Sequence, residues 1–402
     1  MITIVHLITG LGVGGAELQL HSLSTRSESQ IFRHIVISVT GIGPVGERLR
    51  ADGIEVYALE IKGTLSLMTG ALKLLRMLRR LRPDVLHCWM YHANLLGLLA
   101  GKLSGVPHIL WGILCSDADF ALYKPRTARV MKVCARLSPF CESVIFNSEA
   151  GRKVHETWGY DASRSVTIVS GFDVKKFHPA PEQRTVLRQE LGLESDCIVI
   201  GLVARPHPVK DHETFLRAAA LVAQKRPLVH FLLIGDGIPQ SSGISRMIAA
   251  AGLDERVHLW GRRDDIARIN AGLDIACSSS SSEGFSNTIC EALACGVPCV
   301  ATDAGDSAYI VGDAGLLVAP GMPSALADAL LKLSDLSQSE RLAMGSRGRQ
   351  RIQDNFSIAK IVQQYEALYL KACPDHEPNT RANTAAGEAD MVINKSERFH
   401  AR

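Results

Sequence analysis

Ser278-Ser279-Ser280-Ser281-Ser282-Glu283-Gly284-Phe285-Ser286-Asn287-Thr288-Ile289-Cys290-Glu291-Ala292-Leu293-Ala294-Cys295-Gly296-Val297-Pro298 is the stretch on which the reading of this chain turns. The short apolar run 275–278 that leads into it reads as a strand, and 298–301 reads as the next one. Between them a polar loop with one glycine gives way to a helical pattern over 287–294. A strand, a loop, a helix and a second strand make one unit of a parallel α/β fold. The free N–H groups at such a helix start form an anion site, so a diphosphate can dock there. Glu283 lies in the loop and Glu291 eight positions on, two turns down the helix. A carboxylate beside a phosphate site is repelled unless it accepts hydrogen bonds from sugar hydroxyls. The plainer alternative makes Glu283 a helix cap and Glu291 surface charge.

The same alternation runs outward in both directions. Strands are expected at 2–7, 34–39, 54–58, 84–88, 108–113, 143–146 and 166–169. After an interruption by Gly171, Pro179 and Pro181 they resume at 198–203, 229–234, 257–259, 275–278, 298–301 and 315–318. Helical patterns fall between them, at 16–24, 67–81, 93–103 and 211–224 among others. At 402 residues two cores are expected, and the pattern divides them into Rossmann-like halves at 1–172 and 173–352. Residues 373–402 are polar and read as a tail without a core.

Composition narrows the class. Hydrophobic residues make up 47% and charged residues 21%, a globular balance, and no apolar run nears the roughly 18 residues of a bilayer span. Met1–Leu7 reads as a strand and not as an export signal, which with ten cysteines and no CxxC pair points to buried thiols in the cytoplasm. Net charge is +3, but residues 1–172 hold 19 Lys and Arg against 13 Asp and Glu, while the remainder holds 25 against 28. That bias favours an anionic partner for the first half, a lipid phosphate or a membrane surface, and gives no reason to expect nucleic acid. The segment 71–82 carries Lys73, Arg76 and Arg80 on one side and leucines on another. It reads either as a peripheral membrane contact at the inner face or as an ordinary covering helix.

The Glu-x7-Glu segment resembles the signature of the family 4 retaining glycosyltransferases, and further landmarks keep that family's order. These are Gly12-Val13-Gly14-Gly15-Ala16-Glu17, Asn147-Ser148-Glu149, Gly171-Phe172-Asp173 with Phe177, Arg205 with Lys210, Gly235-Asp236-Gly237, and Ala301-Thr302-Asp303-Ala304-Gly305. The resemblance implies the GT-B fold, with two parallel sheets facing across a cleft and a last helix (353–372) crossing back to the first domain. It implies a hexosyltransferase that uses a nucleotide-sugar and a glycan or lipid-linked acceptor, in cell-surface polysaccharide or glycoconjugate biosynthesis, with no metal or other cofactor.

Residue roles follow by the same resemblance. Glu283 would bond the donor sugar, the backbone of Gly284, Phe285, Ser286 and Asn287 would approach it, and Thr288 and Ile289 would meet the phosphate. Glu291 would accept the ribose hydroxyls, Arg205 and Lys210 would neutralise the diphosphate, and Gly261 and Arg262 would lie near the base. Gly14 and Gly15 would let the backbone come close to the ligand. Where relatives carry a histidine after the fifth strand, this chain has Cys115 and, two positions on, Asp117; His87 and His92 are the nearest imidazoles. Ala204 and Ser170 stand where the family has Gly and Asn. The Cys115 departure leaves open a non-catalytic nucleotide-sugar-binding relative, and the shared fold leaves open a nucleotide-sugar epimerase.

Overall fold

The computed structural model describes residues 1–114 and 125–374; Cys115, Asp117 and the tail beyond 374 lie outside them. The first half runs β1 (Ile2–Ile8), α1 (Gly15–Arg26), β2 (Phe32–Ser38), α2 (Gly43–Ala51), β3 (Glu55–Ala58), α3 (Thr64–Leu81) and β4 (Val85–Trp89). It continues with α4 (Tyr91–Ser104), β5 (His108–Ile113), α5 (Pro125–Leu137), β6 (Ser143–Phe146), α6 (Glu149–Thr157) and β7 (Ser165–Thr167). Its strands form a seven-stranded parallel sheet in the order β3-β2-β1-β4-β5-β6-β7.

The second half opens with α7 (Glu182–Leu191), β8 (Ile198–Val203), α8 (His212–Lys225), β9 (Val229–Ile234), α9 (Ser242–Ala250), β10 (Val257–Trp260) and α10 (Ile266–Gly272). Then come β11 (Ile275–Ser278), α11 (Asn287–Ala294), β12 (Cys299–Thr302), α12 (Ser307–Val311), β13 (Gly315–Val318), α13 (Pro323–Ser334), α14 (Gln338–Phe356) and α15 (Ile358–Ala372). Its six strands are also parallel, in the order β10-β9-β8-β11-β12-β13.

Each strand expected from the sequence is present, with edges set by its neighbours. The run expected at 298–301 becomes β12 one residue later, because Pro298 has no N–H to give the ladder and Cys299 to Thr302 pair in register with Gly315 to Val318. All nine described cysteines are buried free thiols. No helix among the described residues is long and apolar enough to cross a membrane.

Both faces of the first sheet are covered. Leu74 and Leu78 of α3, Leu98 of α4 and Met131 of α5 pack on one face, over Val5, Leu86 and Ile109. The other face takes Leu20 and Leu23 of α1, Val45 and Leu49 of α2, and Ile361, Tyr365 and Tyr369 of α15. The last helix thus belongs to the core of the first half. Its entry is fixed where Phe172 N donates to Phe356 O and Ile358 N donates to Phe172 O, each at 2.9 Å.

Candidate active site

The polar loop after β11 is held from three sides. Ser279 Oγ donates to Lys210 O (2.9 Å) and Asp211 O (3.0 Å), and Ser281 N donates to Val209 O at 2.8 Å, so the serine run is stitched to the turn that carries Lys210. Thr302 Oγ1, at the end of β12, donates to Ser280 O at 2.6 Å. Gly305 lets the neighbouring loop close up: at φ +61°, a Cβ there would lie 2.1 Å from Glu283 O. The Asp306 amide then donates to Gly284 O at 2.9 Å.

This scaffold fixes Glu283. Lys210 Nζ and Ser280 Oγ (2.7 Å) both donate to its Oε1, leaving Oε2 without a partner among the described residues. Lys210 is partly exposed, and the exposed Arg205, just past β8, forms no ion pair among the described residues. The helix that follows has no side-chain cap. Ser286 sits at its N-cap without capping it, so the first amides of α11, at Asn287, Thr288 and Ile289, have no side-chain cap and can serve as an anion site.

Glu291 lies one turn further along α11. Loss of water pushes its carboxyl up to about 7, a trend that Lys176 partly offsets, and its oxygens have no hydrogen bond among the described residues. A half-buried carboxylate left without a protein donor is poised to accept from a ligand.

The remaining expected residues are placed as follows. Phe285 turns away from the loop into an aromatic stack with Phe172 (6.2 Å between centroids) and Phe356 (5.4 Å), and the Ile289 side chain is in the core, so only their backbones face the site. Gly261 and the exposed Arg262 sit in the turn after β10, with Arg262 3.9 Å from Asp264. That turn is braced by Arg263, which stacks over Trp260 and pairs with Asp265 at 2.7 Å. Gly14 and Gly15 open α1 directly opposite: a Cβ on Gly15 would come within 3.7 Å of Asn287 Nδ2, so the two halves meet at this point. They meet again where the Asp306 carboxylate accepts from the first amides of α6, Glu149 N (2.7 Å) and Ala150 N (2.9 Å).

The two candidate histidines part company. His92 is exposed in the first turn of α4. His87 is a correction: it is fully buried, bonded through Nδ1 to Tyr369 OH at 2.8 Å and stacked on Trp89, so α15 shuts it off from any substrate. Burial takes its pKa down to about 3, which keeps the imidazole neutral. The sequence reading gave no role of their own to Ser279, Ser280, Thr302 or Asp306; the unbroken serine run is the signal that could have drawn attention to this loop.

Two parallel-sheet halves joined through a loop-and-helix anion site make this a GT-B protein. The family description "Glycosyltransferase Family 4" matches residues 13–176, and "Glycosyl transferases group 1" matches residues 197–335. The N-acetyl-alpha-D-glucosaminyl L-malate synthase of Bacillus anthracis is 31% identical over 194 residues, 48% of this chain and 50% of that protein, so the match spans half of that relative's length. A UDP-Gal:alpha-D-GlcNAc-diphosphoundecaprenol alpha-1,3-galactosyltransferase of Escherichia coli is 25% identical over 338 residues, 82% of this chain and 81% of that one. The crystal structure of HepE from Anabaena in complex with UDP is 25% identical, superposes with a TM-score of 0.81, and covers 92% of this chain and 100% of its own. The chain belongs to glycosyltransferase family 4.

Proposed function

We propose that the protein is a retaining hexosyltransferase that moves a sugar from a nucleotide-sugar to a glycan or lipid-linked acceptor. It would work in the cytoplasm, at the inner membrane face, in cell-surface polysaccharide or other glycoconjugate assembly. Residues 1–172 would take the acceptor and residues 173–352 the donor. One observation carries this reading: two carboxylates with oxygens to spare, Glu283 and Glu291, flank an uncapped helix start. Sugar hydroxyls suit the first, ribose hydroxyls the second, and a diphosphate the amides between them. Gly261 and Arg262 would line the base.

In this mechanism the acceptor oxygen attacks the anomeric carbon from the face the diphosphate leaves. The bond from that carbon to the phosphate oxygen breaks with its electron pair on the diphosphate, which takes the acceptor proton. Arg205, Lys210 and the start of α11 meet the growing negative charge, so no metal ion is needed. A contact through residues 71–82 would bring the cleft to a lipid-linked acceptor.

The UDP bound by the Anabaena protein and the UDP-galactose in the E. coli relative's name make uridine donors the first to try. A thermal-shift screen of UDP-, GDP- and ADP-sugars, followed by product analysis with acceptor, tests the reading. Stabilisation by a nucleotide-sugar and a product of unchanged anomeric configuration are expected. A donor bound away from α11 in a soaked crystal would overturn it.

A further inference from the structure

Helices α3, α4 and α5 lie side by side on one face of the first sheet, and their outer surface has an unusual chemistry. Together they carry nine Lys and Arg and no Asp or Glu. A merely solvated helical layer mixes both signs. At 100° per residue, Leu65, Met68 and Leu72 of α3 share a stripe with Arg76 and Arg79, opposite the buried Leu74 and Leu78. Leu65 is 96% exposed and Met68 73%. On α4, Leu99 and Leu103 face out (53% and 70%), and Phe140 does so just past α5 (61%). Arg76, Arg79 and Arg80 form no ion pair with an acid among the described residues, so the charge of these three α3 side chains is not cancelled within them.

We propose that the outer surface of the α3–α4–α5 layer docks on an anionic lipid bilayer, with its leucines in the acyl boundary and its arginines among the phosphates. This deepens the membrane contact suggested for residues 71–82 and rests on that reading, but it makes the contact a three-helix surface. Charge complementarity names the occupant: a polyanion alone would be met by the cations without the exposed leucines, and a neutral apolar partner without the nine cations. Lipophilic tips set among basic side chains fit the layered chemistry of a lipid interface.

The test is co-sedimentation of the full chain with vesicles of phosphatidylcholine, with and without phosphatidylglycerol, at low and high salt. Three variants accompany it: Arg76→Gln with Arg80→Gln, Arg126→Gln with Arg129→Gln and Arg136→Gln, and Leu99→Ser with Leu103→Ser. Binding that requires phosphatidylglycerol, weakens with salt and falls about five-fold for each cation removed from either helix is expected. The leucine variant should bind less at any salt. Equal binding to neutral vesicles, or none to anionic ones, would overturn the proposal. Loss in the α3 variant with full binding by the α5 variant would overturn the three-helix surface while keeping the narrower contact. Thermal shift by UDP, measured on every variant, reports separately on the donor site.

Discussion

Ser280 shows how little of the site's precision sits in the residues that would touch substrate. It donates to Glu283 at 2.7 Å, and its own carbonyl is held by Thr302 at 2.6 Å. Ser280→Ala should release Glu283 toward Lys210, lose about 1 kcal/mol of positioning and lower kcat about five-fold with donor KM little changed, while Ser280→Thr recovers most of it. Steady-state kinetics on the three proteins checks this; a KM-only effect would contradict it. Glu291→Ala should weaken nucleotide binding at least ten-fold by calorimetry, since both ribose hydroxyls would lose their acceptor.

The pH behaviour of Glu291 follows from its burial. With its pKa raised to about 7 in the free protein, the carboxylate that ribose needs is lost as pH falls through 7, so nucleotide affinity should drop between pH 8 and 6. In the empty protein the sign is reversed: the folded state holds this proton more tightly than the unfolded chain, so Glu291 costs stability as pH rises from the ordinary carboxyl range to 7. The pair of glutamates was legible as a spacing of eight. The hydroxyl clamp was not, because its partners come from 22 and 69 positions away, and only the parallel sheet brings them together.

Among the elements, α6 is the clearest case of a helix finished by another part of the chain. Ser148 caps its third amide at 3.0 Å, which the Asn147-Ser148-Glu149 pattern already suggests, but its first two amides are taken by Asp306 across the cleft. Asp306→Ala should leave those amides without a protein partner and weaken the contact between the halves by about 1–3 kcal/mol. The expected outcome is a larger radius of gyration in solution scattering and a raised donor KM. Unchanged scattering would count against the clasp. Strand runs were readable along the whole chain because parallel buried strands are locally apolar. Helix ends were less so: α1, expected at 16–24, runs from Gly15 to Arg26, since its start is set by the glycine loop and not by an apolar period.

At the scale of the whole molecule, the seam between α15 and the first sheet governs acid stability. Trp89 Nε1 donates to His6 Nδ1 at 3.1 Å, so neutral His6 carries its proton on Nε2 and passes a hydrogen bond of 2.8 Å to His34. A second proton on His6 would turn its Nδ1 toward the indole N–H donor to donor. Burial lowers His34 to about 4 and His87 to about 3, and depresses His6 as well. At these three imidazoles the unfolded chain therefore binds more protons than the folded one between about pH 6.5 and 4, which outnumbers the single proton Glu291 retains, and stability should fall as pH drops through that window. Scanning calorimetry at pH 7.5, 5.5 and 4.5 should show a steadily decreasing Tm; a flat profile above pH 5 would contradict the neutral cluster. His87 looked like a cleft residue because a strand end is where ligands gather, and nothing near it in sequence announces that Tyr369, 282 positions on, lies over it.

That same seam sets an order on biogenesis. The first half leaves the ribosome early, yet the part of one sheet face that α1 and α2 do not cover stays bare until Ile358–Ala372 has been made. Through most of translation Trp89 and the imidazoles beside it are uncovered, so the nascent protein should depend on chaperones until its last helix arrives.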